Sequence, residues 1–149
     1  MVHAEGTGGS LARGLSPTRE RGRMTPRIVI SIVPMGAVRQ TRADAWRKRD
    51  CVLRYRAYRD ELRRKARGFV VPECDYHLHF FLPIPESWSA KKKLASEGQP
   101  HQSKPDKDNL EKAFLDALLE EDSRIWDGRV TKRWSAKPRI EIELIGDCK

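Results

Sequence analysis

Hydrophobic side chains recur with two different periods in the first half of the chain, which predicts a strand followed by a helix. Residues 27–34 (RIVISIVP) form a nearly continuous β-branched run, typical of a strand that is covered on both faces. Apolar residues then recur at helical spacing, namely Cys51, Tyr55, Tyr58, Leu62 and Ala66. A helix is therefore predicted there, with Gly68 as the residue that ends it.

The second half of the chain predicts three more strands and one more long helix. Residues 76–82 alternate with a period of two, which favours a half-buried strand. The basic stretch 87–98 indicates a short helix or a loop. A single apolar stripe of helical period follows, formed by Leu110, Ala113, Phe114, Ala117 and Leu118. Residues 129–134 and 139–145 look like the two arms of a closing hairpin.

Together these elements predict a single α+β domain over residues 27–149. Their order is strand, helix, strand, helix, strand, strand, which favours a mixed sheet of about four strands with two main helices. Residues 1–26 are expected to be a disordered basic tail, because Gly, Ser and Arg are frequent and no hydrophobic period is present. Met24 lies just before the first strand, which raises the hypothesis that it is the natural start.

Charge is distributed unevenly along the chain. The sequence holds 30 Lys and Arg against 21 Asp and Glu, a net charge of +9. Residues 101–149 hold 10 basic and 11 acidic side chains, which leaves 20 basic and 10 acidic side chains in the first 100 residues. A basic half suits a polyanion, since contacts with phosphates release condensed counterions, and an acidic patch suits a divalent cation. Composition therefore predicts nucleic acid and a metal ion as partners.

Two features predict a protein of the cytoplasm that does not contact a membrane. No stretch approaches the roughly 18 apolar residues that a membrane span needs, and no apolar stretch follows the charged start as a signal peptide requires.

Cys51, Cys74 and Cys148 are odd in number, far apart and without a C-x-x-C spacing. They are predicted to be reduced thiols.

Three aspartates form the candidate metal site. Asp106 and Asp108 lie at the entrance of the last predicted helix, and Asp122 follows that helix. Magnesium prefers carboxylate and water oxygens, and phosphodiester hydrolysis uses such a cluster to bind the ion beside a phosphate. Lys112, on the same helical face as Asp108, is placed to hold a phosphate or to offset transition-state charge. The residues alone leave a second interpretation open, in which Asp106 or Asp108 caps the helix and Lys112 pairs with Asp108 or Asp116.

The segment KPDKDNLEKAFLDAL at 104–118, followed by DSRI at 122–125, resembles the RusA family of Holliday junction resolvases. In that family a D-x-D-N-x-x-K-x-x-x-D-A-L helix is followed by an acidic pair ahead of a strand. The motif falls here on Asp106, Asp108, Asn109, Lys112, Asp116, Ala117 and Leu118, and Asp122 matches the second residue of the pair.

The resemblance implies a function and a set of site residues. Asp106, Asp108 and Asp122 would bind the metal and be catalytic, and Lys112 would be the catalytic lysine. The ion would be Mg²⁺, with Mn²⁺ able to substitute. The domain at 27–149 would be a RusA-like endonuclease domain that acts as a homodimer and makes paired nicks in four-way DNA junctions, in recombination and repair.

Four basic residues are the predicted DNA contacts, namely Arg39, Arg42, Lys104 and Lys107. Arg39 and Arg42 lie in the loop after the first strand, where phosphate contact is favoured. Pro105 stands where the family can have a basic residue, which shifts DNA contacts to its neighbours Lys104 and Lys107. Glu121 stands where the family usually has Asp, and the charge is kept.

Other interpretations stay open at this point. A non-catalytic DNA-binding protein that recognises branched DNA would use the basic face of the first predicted helix, while the aspartates only cap and pair. That face presents Arg54, Arg56, Arg59, Arg63 and Arg64. A sugar-nucleotide transferase would use Asp106 and Asp108 as a metal-binding D-x-D, but the short chain lacks a nucleotide-binding domain. His77 and His79 share a strand face, and packing or surface roles are favoured for them because no third ligand lies nearby.

Overall fold

The computed structural model describes residues 18–20 and 23–146, with side chains from Pro26 onward. The strands are β1 (Thr18–Glu20), β2 (Arg23–Thr25), β3 (Arg27–Ile30), β4 (Tyr76–Pro83), β5 (Arg129–Ser135) and β6 (Arg139–Leu144). The helices are α1 (Asp44–Arg47), α2 (Asp50–Lys65), α3 (Ala90–Ser96) and α4 (Lys107–Leu118). The α+β class and the mixed four-stranded sheet are confirmed. None of the helices in these residues has the length and apolar content needed to cross a membrane.

The main sheet has the strand order β3-β6-β4-β5, and its last two strands do not form a hairpin. β6 pairs antiparallel with both β3 and β4, whereas β5 pairs parallel with β4. The predicted closing hairpin is therefore wrong, because the two strands lie on opposite sides of β4. The physical reason is burial on both faces of β6: the alternate residues Ile142 and Glu143 are both 1% exposed, which an inner strand between two neighbours provides.

One core lies between this sheet and the helices α2 and α4. β4 directs its alternating side chains into the core, as predicted, namely Tyr76, Leu78, Phe80 and Leu82. The predicted stripe of α4 is buried at Leu110, Ala113, Phe114 and Ala117 and partly buried at Leu118. Phe114 meets Phe80 edge to face, with ring centroids 6.5 Å apart. This packing fixes α4 on the sheet and leaves its opposite face, with Asp108 and Lys112, in solvent.

The segment that leads into α4 is bound to the outer edge of β5. Trp134 N donates to Gln99 O at 2.9 Å, and His101 N donates to Lys132 O at 3.1 Å. The Lys132 side chain adds a bond from β5 to this segment, since its Nζ donates to Pro105 O at 2.8 Å. The start of α4 is therefore fixed to the sheet by main-chain atoms and one lysine.

β1 and β2 pair antiparallel inside the segment that was predicted to be a disordered tail. At these residues the structure differs from the prediction, because the two short strands satisfy each other's backbone groups. Residues 1–17, 21 and 22 lie outside the described residues, and disorder there stays a prediction.

The cysteines differ from one another. Cys51 is a free thiol, as predicted. Cys74 is disulfide-bonded, so the prediction of a reduced thiol is wrong there. Spacing along the chain does not show which sulfur atoms the fold brings together, whereas a disulfide depends on that proximity. Cys148 lies outside the described residues.

Candidate active site

Two of the three candidate aspartates lie at the start of α4. Asp106 occupies the N-cap position and Asp108 lies in the first turn, and both are exposed. Aspartate is a favoured N-cap residue, yet the Asp106 side chain makes no capping hydrogen bond. Within the described residues neither carboxylate has a hydrogen-bond or ion-pair partner. Both are therefore available to bind a cation. The alternative interpretation, that they only cap the helix and pair with a lysine, is supported by no hydrogen bond or ion pair in the described residues.

Asp122 lies apart from them, in the exposed loop between α4 and β5. Its side chain also has no partner in the described part of the chain. The loop is held farther on, where Trp126 N donates to Glu73 O at 3.1 Å. Within residues 18–20 and 23–146, one group of three side chains has metal-ligating atoms within 4.8 Å of one another. That group does not include Asp106, Asp108 or Asp122. The structure therefore brings Asp106 and Asp108 to one helix end without bringing Asp122 into ligating distance of both.

Lys112 opens onto a cavity of about 610 Å³ between α2, α4 and the loop after β3. Its lining is formed by Ala37, Val38, Arg39, Gln40, Tyr55, Arg59, Asn109, Lys112 and Asp116. Three cationic side chains face one carboxylate, so the cavity is positive. The structure thus brings together Lys112 and Arg39, two residues that were predicted separately.

A buried hydroxyl in this cavity indicates the kind of ligand that fits. Tyr55 is 2% exposed, and its hydroxyl has no hydrogen-bond partner. Burial, followed by the charge of Asp116, raises the pKa of Tyr55, so the hydroxyl keeps its proton to donate. Leaving such a group unsatisfied costs about 1–3 kcal/mol. An anionic oxygen, such as that of a phosphate, would satisfy the hydroxyl and the surrounding cations.

Asn109 fastens the loop after β3 to α4. Its Nδ2 donates to Ala37 O at 3.2 Å, and Ala37 N donates back to Asn109 O at 3.2 Å. A Cβ at Gly36 would lie 2.6 Å from Asn109 Nδ2, so glycine permits the close approach. Sequence reasoning matched Asn109 to the motif without assigning it a role. Its role in the structure is to hold the Arg39 loop beside Lys112.

A second anchor shapes the part of this loop that follows. Asp44 is buried and accepts hydrogen bonds from Arg49 Nε at 2.6 Å and from Thr41 N at 2.6 Å. Arg49 also donates through Nη2 to Arg39 O at 3.2 Å. The Arg49 side chain, followed by the Thr41 amide, holds the pKa of Asp44 well below its usual range. Sequence reasoning missed this network, which fixes the loop that presents Arg39 and Arg42.

The lowered pKa predicts how the variant Asp44→Asn responds to pH. A carboxyl with a depressed pKa stabilises the fold fully above its ordinary value of 3.8 and loses that effect as the pH falls through the folded-state pKa. The variant should therefore unfold at a lower temperature than the wild type at pH 7, with a gap that narrows below pH 3.8. Thermal unfolding followed by circular dichroism measures this gap, with Asp60→Asn as the exposed control. An equal gap at pH 3 and pH 7 would contradict the assignment.

The four predicted DNA contacts are all exposed: Arg39, Arg42, Lys104 and Lys107. Two further arginines were missed as functional positions, although their helix was recognised as basic. Arg59 Nη2 donates to Asp116 O at 3.0 Å, and Arg63 Nε donates to Ala117 O at 2.6 Å. Cations at this end of a helix stabilise its unpaired carbonyls and its dipole. These arginines therefore secure the C-terminal end of α4.

The face of the sheet that points away from α2 and α4 is polar. Arg27 donates to Glu141 Oε1 at 3.2 Å and to Glu143 Oε2 at 2.9 Å. Burial, followed by the neighbouring His79, lowers the pKa of His77 to about 4. One ligand atom each of His77, His79 and Glu143 lies within 4.8 Å of the others. The premise that no third ligand lies nearby is therefore wrong, because strand register brings β6 against β4.

Unpartnered carboxylates at the start of α4, and a cavity lined with cations farther along the same helix, are compatible with binding a metal ion and a phosphate. The family model described as Endodeoxyribonuclease RusA matches residues 31–145, which is most of the chain. The chain belongs to the RusA family and is an endodeoxyribonuclease by that membership. No curated protein matches it. The resemblance seen in the motif at 104–118 is thereby confirmed.

Proposed function

We propose that this protein is a magnesium-dependent, structure-specific endodeoxyribonuclease that resolves four-way (Holliday) DNA junctions by paired nicks, in recombination and repair. The observation that supports it most directly is the pair of exposed, unpartnered carboxylates Asp106 and Asp108 at the start of the helix whose Lys112 lines the cationic cavity. Membership of the RusA family supports the reaction class. Paired nicks require two active sites, so the acting form is a homodimer. A location in the cytoplasm stays a prediction.

Asp106, Asp108 and Asp122 are the residues that would hold the metal. All three offer only carboxylate oxygens, and none of the three has a competing partner in the described residues, which fits a hard divalent ion such as Mg²⁺ or Mn²⁺. When bound, Mg²⁺ lowers the pKa of a ligated water and offsets charge on the phosphate. Asp122 belongs to an exposed loop, and its approach to the other two is the conformational change that the proposal requires.

The chain's own cations would orient the DNA strand. Lys112 and Arg39, with the Tyr55 hydroxyl, would hold phosphate oxygens in the cavity next to the aspartates. Asn109 would hold the loop that carries Arg39 against α4 through its bond to Ala37 O. Lys104 and Lys107 are exposed at the start of α4 and Arg42 is exposed in the loop after β3, and all three would contact flanking phosphates. Binding should therefore weaken steeply as the salt concentration rises.

A non-catalytic protein that recognises branched DNA is the second candidate. The observation that favours it is the position of Asp122, which is not within ligating distance of both other aspartates. Such a protein would bind a junction through the same basic residues and would not need a metal.

A junction cleavage assay separates the two candidates. A labelled four-way junction and a linear duplex of matching sequence are incubated with the purified chain and with Mg²⁺, Mn²⁺ or a chelator. We expect symmetric nicks in the junction alone, with Mg²⁺ or Mn²⁺, and none with the chelator. Light scattering on the same sample should give the mass of a dimer. Tight junction binding without nicks under either ion would support the non-catalytic candidate.

A further inference from the structure

A buried cluster on the polar face of the sheet has no part in the proposed reaction. His77 and His79 lie two residues apart on β4, so both side chains project to the face opposite the core. His77 pairs in register with Glu143 of the neighbouring strand β6. Glu143 is 1% exposed and His77 is 8% exposed. Two imidazoles and one carboxylate therefore converge in a place that solvent hardly reaches.

The spacing of this cluster matches the size of a transition-metal site. Imidazole nitrogen and carboxylate oxygen bind zinc at about 2.0–2.2 Å, which places neighbouring tetrahedral ligands roughly 3.4 Å apart. His79 Nε2 lies 3.0 Å from Glu143 Oε2, and one ligand atom of each of the three residues lies within 4.8 Å of the others. The separations between these atoms are therefore close to those of a tetrahedral site, and the proposal requires only side-chain adjustment.

We propose that His77, His79 and Glu143 bind a transition-metal ion of the Zn²⁺ class, with an open fourth position for water. Two imidazoles with one carboxylate suit Zn²⁺, whereas Mg²⁺ prefers sites made of oxygen atoms alone. The bound ion joins β4 to β6 at the middle of the sheet. Its effect is to stabilise the fold, independently of the cleavage reaction.

This site is separate from the aspartates of α4. Phe80 of β4 faces the core and packs on Phe114 of α4, so the helix covers one face of the strand. His77 and His79 alternate with the core residues and occupy the other face. A cation bound there has the sheet between itself and Asp108. The two sites should therefore differ both in ion preference and in the consequences of substitution.

Two neighbouring side chains modify the affinity of this cluster for Zn²⁺. His77 Nε2 lies 2.6 Å from Thr131 Oγ1, a contact that fixes the orientation of the ring. Arg27 shares the Glu143 carboxylate, with Nη2 at 2.9 Å from Oε2. A guanidinium at that distance competes with a cation for the same oxygen. The variant Arg27→Gln should accordingly bind Zn²⁺ roughly tenfold more tightly, an effect of about 1.4 kcal/mol.

The test uses the full chain, freed of metal with a chelator and titrated with Zn²⁺ by calorimetry. We expect one ion per chain, lost or weakened at least about 100-fold in His79→Gln and kept in the control His101→Gln. Histidine ring signals in NMR should shift for His77 and His79 and stay unchanged for His101, a readout that needs no variant. Zn²⁺ at 100 times its Kd should also raise the Tm by roughly 5–10 °C, whereas Mg²⁺ should not.

Two results would overturn the proposal. The first is a wild-type chain that retains no Zn²⁺ after dialysis at micromolar concentration. The second is Zn²⁺ binding that leaves the His77 and His79 ring signals unshifted. Neither result depends on cleavage, so failure of the metal site is distinguishable from failure of the proposed nuclease function.

Discussion

The variant Asp108→Asn is expected to lose junction cleavage by at least about 10³-fold while still binding the junction. Asparagine has nearly the same shape as aspartate, but it lacks the charge that a divalent ion requires. Asp108 is exposed and has no partner in the described residues, so its replacement should leave the free energy of unfolding nearly unchanged. Single-turnover cleavage in Mg²⁺ measures the rate, and fluorescence anisotropy in Ca²⁺ measures binding.

Asp50→Asn is the matched control, because Asp50 lies in the first turn of α2 as Asp108 does in α4, and both are exposed. The control should cleave at the wild-type rate. Cleavage by Asp108→Asn at the wild-type rate would exclude Asp108 as a metal ligand. Equal loss in both would instead indicate a general effect of removing an acidic residue from a helix start.

The variant Lys112→Gln is expected to lower kcat by about 10²–10³-fold with little change in the Mg²⁺ concentration that half-activates the enzyme. Lys112 is exposed, has no ion-pair partner in the described residues and lines the cavity with Arg39. Removing its charge therefore removes stabilisation of the phosphate without disturbing the fold. Cleavage measured across a Mg²⁺ titration separates the two effects.

Lys107→Gln provides the contrast, since Lys107 is the first residue of α4 and is predicted to contact flanking DNA. It should weaken junction binding by a few-fold and reduce the salt dependence, with kcat unchanged. Lys137 lies in the exposed connection between β5 and β6, and Lys137→Gln should change neither junction binding nor kcat. A drop in kcat for Lys107→Gln as large as that for Lys112→Gln would show that nearby positive charge matters rather than a specific lysine.

Local periodicity was sufficient to predict the elements that hold the candidate site. The stripe Leu110, Ala113, Phe114 and Ala117 is buried as expected, because a helix on a sheet buries one face whatever its partners are. Asp108 and Lys112, predicted to share a helical face, are both exposed in the structure. The D-x-D-N motif could also be recognised from the sequence, because all of its residues lie at one end of a single helix.

Strand partners could not be predicted in this way. β5 and β6 alternate like the arms of a hairpin, and alternation is identical whether a strand pairs with its neighbour in sequence or with β4. His77 and Glu143 illustrate the same limit, because only the register of β4 and β6 brings them together. The Asp44 network also escaped prediction, since a buried carboxylate in a polar loop has no distinguishing sequence pattern.

The position of Asp122 depends on tertiary contacts that no motif specifies. Its loop continues to Trp126, whose backbone donates to Glu73 ahead of β4. The resemblance of the motif implies that Asp122 belongs with Asp106 and Asp108, and the path of this loop determines whether the three meet. For the proposed site, the step that the sequence does not supply is therefore a loop conformation.

The segment before α4 is attached to the sheet in a way that tolerates sequence change at its exposed positions. Backbone atoms of Gln99 and His101 join that segment to β5, so its anchoring does not depend on the identity of its exposed side chains. Gln102, Ser103 and Lys104 are such exposed positions, immediately ahead of the aspartates. Substitutions there leave these backbone bonds in place, so we expect the position of Asp106 to be kept. A library restricted to these three codons would therefore test whether the segment influences cleavage preference without displacing the aspartates.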